Sequence, residues 1–340
     1  MKERLEILLG TPVRNIAKLH GDASYRTYYR IETGRETLIL MALPEGKLSV
    51  SEEITNLKEK SQEMPFINVQ KFLKGLSLPV PEIKLFSEKD RWLFLEDLGN
   101  DLLYKHVSKA NVKTQLEWYQ KALDLLIQLQ TQTHKHINTQ TQSNCIAFCR
   151  SFDSTLLNWE FDHFWEYYIK IKNEKLKVKN GGKESLYKEF SRKITDRLCQ
   201  LPQGFVHRDY QSRNLLWHQE KFYLIDFQDA LIGPYIYDLV SLLRDSYVSL
   251  PQETIKTLIV QYAKKTGKDP KTVQRDFDLQ TVQRKLKDAG RFVFIDRVKK
   301  NPNYLPFIPT SLKYVQEALK RLPEYNDFYL FLKNYMPEWQ

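Results

Sequence analysis

With 340 residues, 42% of them hydrophobic and 13% aromatic, the chain can bury a sizeable core, which excludes a disordered protein and, at ~100 to 200 residues per domain, implies about two domains. Its 52 Lys and Arg against 42 Asp and Glu leave a net charge of +10, which suits acidic partners such as nucleotides, anionic metabolites, nucleic acids or membrane surfaces without choosing among them. Cys145, Cys149 and Cys199 are too few and wrongly spaced for a disulfide framework or a structural zinc site, and no stretch approaches the ~18 to 20 apolar residues of a membrane span, so the expectation is a soluble, unsecreted, cytoplasmic protein.

In chain order, residues 25–31 (YRTYYRI) and 37–43 (TLILMAL) are aromatic and β-branched runs joined by ETGRE, whose Gly34 suits a tight turn, and they predict a β-hairpin. Residues 52–74, with apolar Ile54, Leu57, Phe66, Val69, Phe72 and Leu73, predict a helix interrupted near Pro65. PVPEIKLF and RWLFLEDLG read as two further strands about a polar turn at Ser87 to Asp90, giving a small sheet with a helix against it. After Gly99 the pattern shifts to helical periods (Leu116, Tyr119, Leu123, Leu126, Ile127, Leu129), and helix dominates to the C-terminus except around 204–228. The division predicted is 1–98 and 99–340. The Lys-rich run 170–193 reads as solvated helix, turn, helix with Gly181 and Gly182 at the turn, rather than as a nucleic-acid patch. RKLKDAGRFVFIDRVKK, 284–300, has helical spacing, an apolar side for the core and arginines that could face a ligand.

The chemistry is concentrated in GFVHRDYQSRNLLW. Phe205 and Val206 end a strand, and His207, Arg208 and Asp209 follow on the turn, where Asp209 could accept a hydroxyl proton. Asn214, five residues on, lies across a short loop that can return its amide oxygen toward a metal. KFYLIDFQD then supplies a strand, Phe222 to Ile225, ending in Asp226, whose carboxylate would complete a hard-oxygen site suited to Mg2+. The HRD, four residues, N spacing followed by an aspartate at a strand end is the protein-kinase template for phosphoryl transfer, in which protein groups orient the nucleophile and neutralise phosphate charge.

VHRDYQSRNLL and LIDFQDALIGPYIYDLVSLLRD resemble the aminoglycoside phosphotransferase and choline kinase superfamily, and more narrowly the kinases that phosphorylate N-acetylmuramate and N-acetylglucosamine at C1 in bacterial cell-wall recycling. LHGDASYRTYYRI, FLEDLGND and VQRKLKDAGRFVFIDRVKKNPNYLPFIP extend the likeness over most of the chain; it is weak over 45–75 and 135–200. The resemblance implies an α+β, bilobal, protein-kinase-like fold with a small β-rich N-lobe and a larger, mainly helical C-lobe. It implies ATP and Mg2+ as cofactors, Asp209 as catalytic base, and Asn214 and Asp226 as metal ligands. In GDASYR, Ala23, Ser24 and Tyr25 would cover the nucleotide phosphates, although a plain strand-entry turn reads equally from one glycine. The backbone of Glu96 and Leu98 would meet adenine. The product would feed a sugar-1-phosphate nucleotidyltransferase.

Two departures stand out. TLILMALPEG has Met41 and Ala42 where a kinase would place its third-strand lysine, leaving Lys47 or Arg26 as substitutes and its glutamate partner open among Glu52, Glu53, Glu59 and Glu63. DFQD replaces DFG, with Gln228 where glycine would permit unusual backbone angles, which argues against a flip of that segment. The short loop from Asp226 to Tyr237 and Asp238 has no room for a peptide-binding activation segment, so the acceptor is expected to be a small molecule, with Asp238 capping the helix DLVSLLRD. A basic chain suits a neutral or anionic amino sugar better than a polycationic antibiotic. Arg213, Arg244 and Arg291 are the candidates for an acceptor carboxylate, each with an ordinary ion pair or surface charge as its alternative. Other readings are a kinase of another small alcohol of the aminoglycoside, choline or homoserine type, or a nucleotide-binding pseudokinase acting as a partner module.

Overall fold

The computed structural model describes residues 1–19, 26–43, 63–137, 144–171, 182–336 and 339. A short helix, α1 (Lys2–Leu9), leads into a five-stranded antiparallel sheet of β1 (Val13–Leu19), β2 (Thr27–Thr33), β3 (Thr37–Ala42), β4 (Ile83–Ser87) and β5 (Trp92–Glu96), in the order β1-β2-β3-β5-β4. Alternation assigns the faces. Leu38 and Leu40 of β3, with Ile31 and Phe94, pack under Leu5 and Val13, whereas Met41, Leu93 and Leu95 point to the opposite side and join the main core. The β2–β3 hairpin lies where expected, pairing Glu32 with Thr37. The first strand and first helix were not foreseen: Val13, Ile16 and Leu19 recur every third residue among polar ones, a pattern that signals neither a strand nor a complete amphipathic helix.

Between β3 and β4 lies helix α2 (Pro65–Gly75), whose Phe66, Val69 and Leu73 are buried in the main core. Pro65 opens this helix at a position whose N–H has no helical partner anyway; residues 52–62 of the expected helix lie outside the described residues. After β5 come α3 (Leu103–Val107) and α4 (Val112–Ile137), the latter burying Tyr119, Leu123, Leu126 and Leu129 along the expected stripe. Helix α5 (Ser154–Phe164) is capped by Asp153, which accepts from Leu156 N–H at 2.9 Å, and runs on into a π-turn over Trp165–Lys170. Helix α6 (Lys183–Cys199) follows the left-handed Gly182; Gly181 is outside the described residues.

Strands β6 (Gln203–Val206), β7 (Leu215–His218), β8 (Lys221–Leu224) and β9 (Leu231–Pro234) then form two small ribbons, β6 with β9 and β7 with β8. The sequence signalled only a loop at β9, a run of four residues ending in Gly-Pro. Helices α7 (Tyr237–Leu243), α8 (Gln252–Thr266), α9 (Pro270–Lys299), α10 (Ile308–Lys320) and α11 (Asn326–Lys333) complete the chain. Central to this part is α9, buried along most of its length. Gly290 lets it press on α5: a Cβ there would lie 2.7 Å from Phe164 Cα and 2.8 Å from the His163 carbonyl atoms. Among the described residues no helix is long and apolar enough to cross a membrane.

Candidate active site

Strand β6 ends at Val206, and the next three residues turn out of the ribbon as the loop expected from HRD. Two non-glycine residues near it are left-handed, Arg208 at φ 80° and Asp226 at φ 63°, a conformation that persists only when surroundings hold it. For Arg208 the clamp is visible. Asp238, fully buried in the first turn of α7, accepts from His207 N–H at 2.7 Å and Arg208 N–H at 3.0 Å. The expected cap of its own helix is thus not what this carboxylate makes; it organises the catalytic loop 30 residues earlier. The Arg208 side chain turns inward to Glu160 on α5 at 3.2 Å, and Glu160 also accepts from Gln283 at 2.8 Å.

Asp209 faces the opening, its side chain 37% exposed. Arg284 of α9 stands behind it, donating from Nη2 to Asp209 Oδ1 at 3.3 Å and from Nη1 to the Arg208 carbonyl at 2.8 Å and the Tyr237 hydroxyl at 2.7 Å. Burial alone would raise the Asp209 carboxyl, but the charges of Arg284, Lys287, Arg208 and His207 outweigh it and hold the group below the usual carboxylate range, ready as an ionised acceptor.

Asn214 Nδ2 donates to the Asp209 carbonyl at 2.9 Å, which leaves the amide oxygen as its cation-facing atom. The Asp226 carboxyl is pushed up to about 6 by burial and by the charge of Asp209, against a lowering hydrogen bond from Gln228. A carboxylate so crowded by negative charge, with an amide oxygen on the loop bonded to its strand through Ile225 N–H and the Asn214 carbonyl at 3.2 Å, is a donor set that fits a hard divalent cation completed by phosphate oxygens. Among the described residues no cluster of three His, Cys, Asp or Glu competes for that role. Asp226, and not Gln228, carries the left-handed backbone, and the Gln228 amide bridges Asp226 Oδ1 at 2.8 Å and Asp229 Oδ2 at 3.2 Å. Phe227 is fully buried with its ring 4.8 Å from that of Phe66 on α2. From the sheet, Arg26 reaches Asp226 Oδ1 at 3.9 Å.

Glu96 ends β5, its N–H bound to the Glu82 carbonyl at 2.9 Å and so not available to a ligand. Leu98 is buried with Leu216 and Tyr223. Arg30 ties this connector down, forking onto Asp97 at 2.7 and 2.9 Å and reaching Asn100 at 3.0 Å. Ala23, Ser24, Tyr25, Lys47, Glu52, Glu53 and Glu59 lie outside the described residues; Glu63, just before α2, binds Lys71 and Asn68 on that helix. A cavity of about 860 Å³ lined by Lys74, Pro79, Glu96, Lys121, Trp217 and Tyr223 includes none of Asp209, Asn214 and Asp226.

The three arginines part company. Arg244 is 1% exposed, paired with Glu317 at 2.9 Å and stacked 4.6 Å over Tyr314, so it holds helices together and is removed from the acceptor candidates. Arg213, next to Asn214, lies 3.7 Å from the Tyr247 ring centre and 5.1 Å from that of Tyr104. Arg291 lies on α9, 4.7 Å over Phe294. Sequence reasoning missed Arg284, Glu160 and the loop-holding role of Asp238; the one signal for Arg284 was its place in the basic run whose arginines could face a ligand.

Residues 15–274 match the model of the family described as Phosphotransferase enzyme family, APH. The chain is 28% identical over 321 residues to the N-acetylmuramate/N-acetylglucosamine kinase of Pseudomonas aeruginosa, spanning 92% of this chain and 86% of that one. It is likewise 28% identical over 331 residues to the protein of the same name from Neisseria meningitidis, spanning 92% and 87%. Among solved structures, choline kinase LicA from Streptococcus pneumoniae superposes with a TM-score of 0.59 at 16% identity over 95% of this chain and 98% of that one. ADP-bound aminoglycoside phosphotransferase APH(2'')-Ib does so with a TM-score of 0.60 at 14% identity, over 93% and 97%. These structural likenesses carry the bilobal, protein-kinase-like fold.

Proposed function

This chain belongs to the phosphotransferase enzyme family, and on that premise we propose that it is an ATP-dependent kinase transferring the γ-phosphoryl group to the anomeric hydroxyl of N-acetylmuramate or N-acetylglucosamine. The observation that carries the acceptor class is likeness, over 92% of the chain, to kinases bearing those two sugars in their name.

In this reading Asp209 accepts the hydroxyl proton as the oxygen attacks phosphorus. Its carboxylate is kept ionised and aimed by Arg284, and its loop is held in place by Asp238. Asn214 and Asp226 would hold Mg2+, which when bound would neutralise charge on the phosphates. Gln228 fixes the Asp226 carboxylate through its hydrogen bond to Oδ1. Arg26, reaching the same carboxylate from the sheet, is the described N-lobe cation placed to serve where the kinase lysine is replaced by Met41 or Ala42. Adenine is read by the carbonyl of Glu96 and the N–H of Leu98, with the 23–25 turn over the phosphates. Residues 1–98 thus present the nucleotide and 99–340 the base, the metal arm and the acceptor. Arg213 and Arg291 remain as acceptor contacts.

The test is acceptor-dependent ADP release with the two amino sugars beside choline, homoserine and an aminoglycoside. Turnover confined to the amino sugars is the expected result; turnover with choline or the antibiotic alone, or with none of the panel, would reject the reading.

A further inference from the structure

Building on the amino-sugar reading, we propose that the partly exposed stripe of α9 carrying Lys287 and Arg291 is an anion subsite for the acceptor's carboxylate, with Lys287 its specificity-determining residue. Arg284, Lys287, Asp288 and Arg291 stand at i, i+3, i+4 and i+7 and therefore share one helix face. The 3.3 Å contact of Arg284 with Asp209 fixes where that face points. With a rise of about 1.5 Å per residue, Lys287 lies about 4.5 Å and Arg291 about 10 Å along the axis from Arg284. A carboxylate carried by an ether on C3 of a pyranose whose C1 hydroxyl sits at Asp209 falls within that reach. From Thr281 to Ile295 the helix is buried except at Lys287, Asp288, Arg291 and Val293, which are partly exposed.

Asp288 Oδ1 holds Lys287 at 3.1 Å while its Oδ2 accepts from the buried Lys285 at 2.6 Å, and Lys285 also donates to Ser246 at 2.7 Å. One carboxylate is shared by two ammonium groups, and Lys287 has donors beyond the one Asp288 takes. Asp288 is thus the positioning residue for Lys287. The cations also divide by side. Arg26 serves Asp226, whereas the field of Lys287 acts on Asp209 and Tyr237, and with Arg291 on His163 of α5. Lys287 shares its helix face with Arg284, which contacts Asp209 rather than Asp226, and this favours an acceptor group over the transferring phosphate.

The experiment is steady-state kinetics of the full chain, Lys287→Met and Lys287→Arg, with N-acetylmuramate and N-acetylglucosamine. Expected is a fall of about 10- to 100-fold in the ratio of kcat/KM for the carboxylated over the neutral sugar in Lys287→Met, the size of one charge-assisted hydrogen bond, carried by KM and largely recovered in Lys287→Arg. An equal loss on both sugars through kcat, or an unmoved ratio, would overturn the subsite while leaving the amino-sugar reading intact, as would a wild type that phosphorylates only the neutral sugar. A wild type that phosphorylates neither sugar rejects that reading and the subsite with it. Should melting curves show Lys287→Met to be misfolded, Lys287→Gln and Arg291→Gln carry the same comparison.

Discussion

The Asp238 carboxylate, on the first turn of α7, accepts the backbone N–H groups of His207 at 2.7 Å and Arg208 at 3.0 Å, and so holds the left-handed Arg208 that aims Asp209. Asp238→Ala leaves two buried N–H groups without acceptors, at about 1–3 kcal/mol each. Stability in urea is expected to fall by that order, and kcat should fall more than KM for ATP. Asp238→Asn keeps one acceptor oxygen and should fall between Ala and wild type.

Arg26 reaches Asp226 at 3.9 Å from the sheet that lacks the usual lysine. If it neutralises phosphate charge, Arg26→Met lowers kcat/KM for ATP by about 10²-fold, the size of losing one such donor, and Arg26→Lys recovers part of it. An Arg26→Met enzyme with wild-type ATP kinetics would return the role to a residue such as Lys47.

The candidate site segments stood out in the sequence because each is local: HRDYQSRN, LIDFQD and FLEDLG carry their spacing within a dozen residues. Arg284 did not, since it meets Asp209 across 75 residues from a helix buried along most of its length, whose mixed pattern does not show which positions matter. Asp238 was misread for a related reason. An acid in the first turn of a helix predicts a local cap, and nothing in the sequence shows that β6 delivers two unpaired N–H groups to it. Arg244 stood out as a basic residue near a motif, and only burial against Glu317 and Tyr314 shows it to be structural.

Gly290→Ala tests the contact of α9 with α5. Its Cβ would sit 2.7 Å from Phe164 Cα, backbone that cannot swing aside, and overpacking of this kind costs about 1–3 kcal/mol. A melting temperature equal to wild type would show that the helices are not so closely set.

Acid should loosen the same region. The His163 ring is pushed from 6.5 to about 4 by burial, then by Arg291 and Lys287. The folded chain therefore binds fewer protons there than the unfolded one between those values, so stability is full above about pH 6.5 and declines as pH falls toward 4, by up to ~3 kcal/mol at this group. Burial likewise pushes His207 to about 4, and it adds to the same window. In urea titrations at pH 7 and pH 5, His163→Phe should narrow the difference seen in wild type.

Asp209 as the base of an anomeric phosphotransfer is the central claim, and phosphorus NMR of the product from wild type and Asp209→Asn tests it most directly. With ATP, Mg2+ and N-acetylmuramate or N-acetylglucosamine, the wild type should yield ADP and an acid-labile sugar 1-phosphate, and Asp209→Asn should be slower by roughly 10²- to 10⁴-fold, the usual contribution of a positioned base. An acid-stable phosphate ester, or acceptor-dependent ADP release at the wild-type rate in Asp209→Asn, would contradict it.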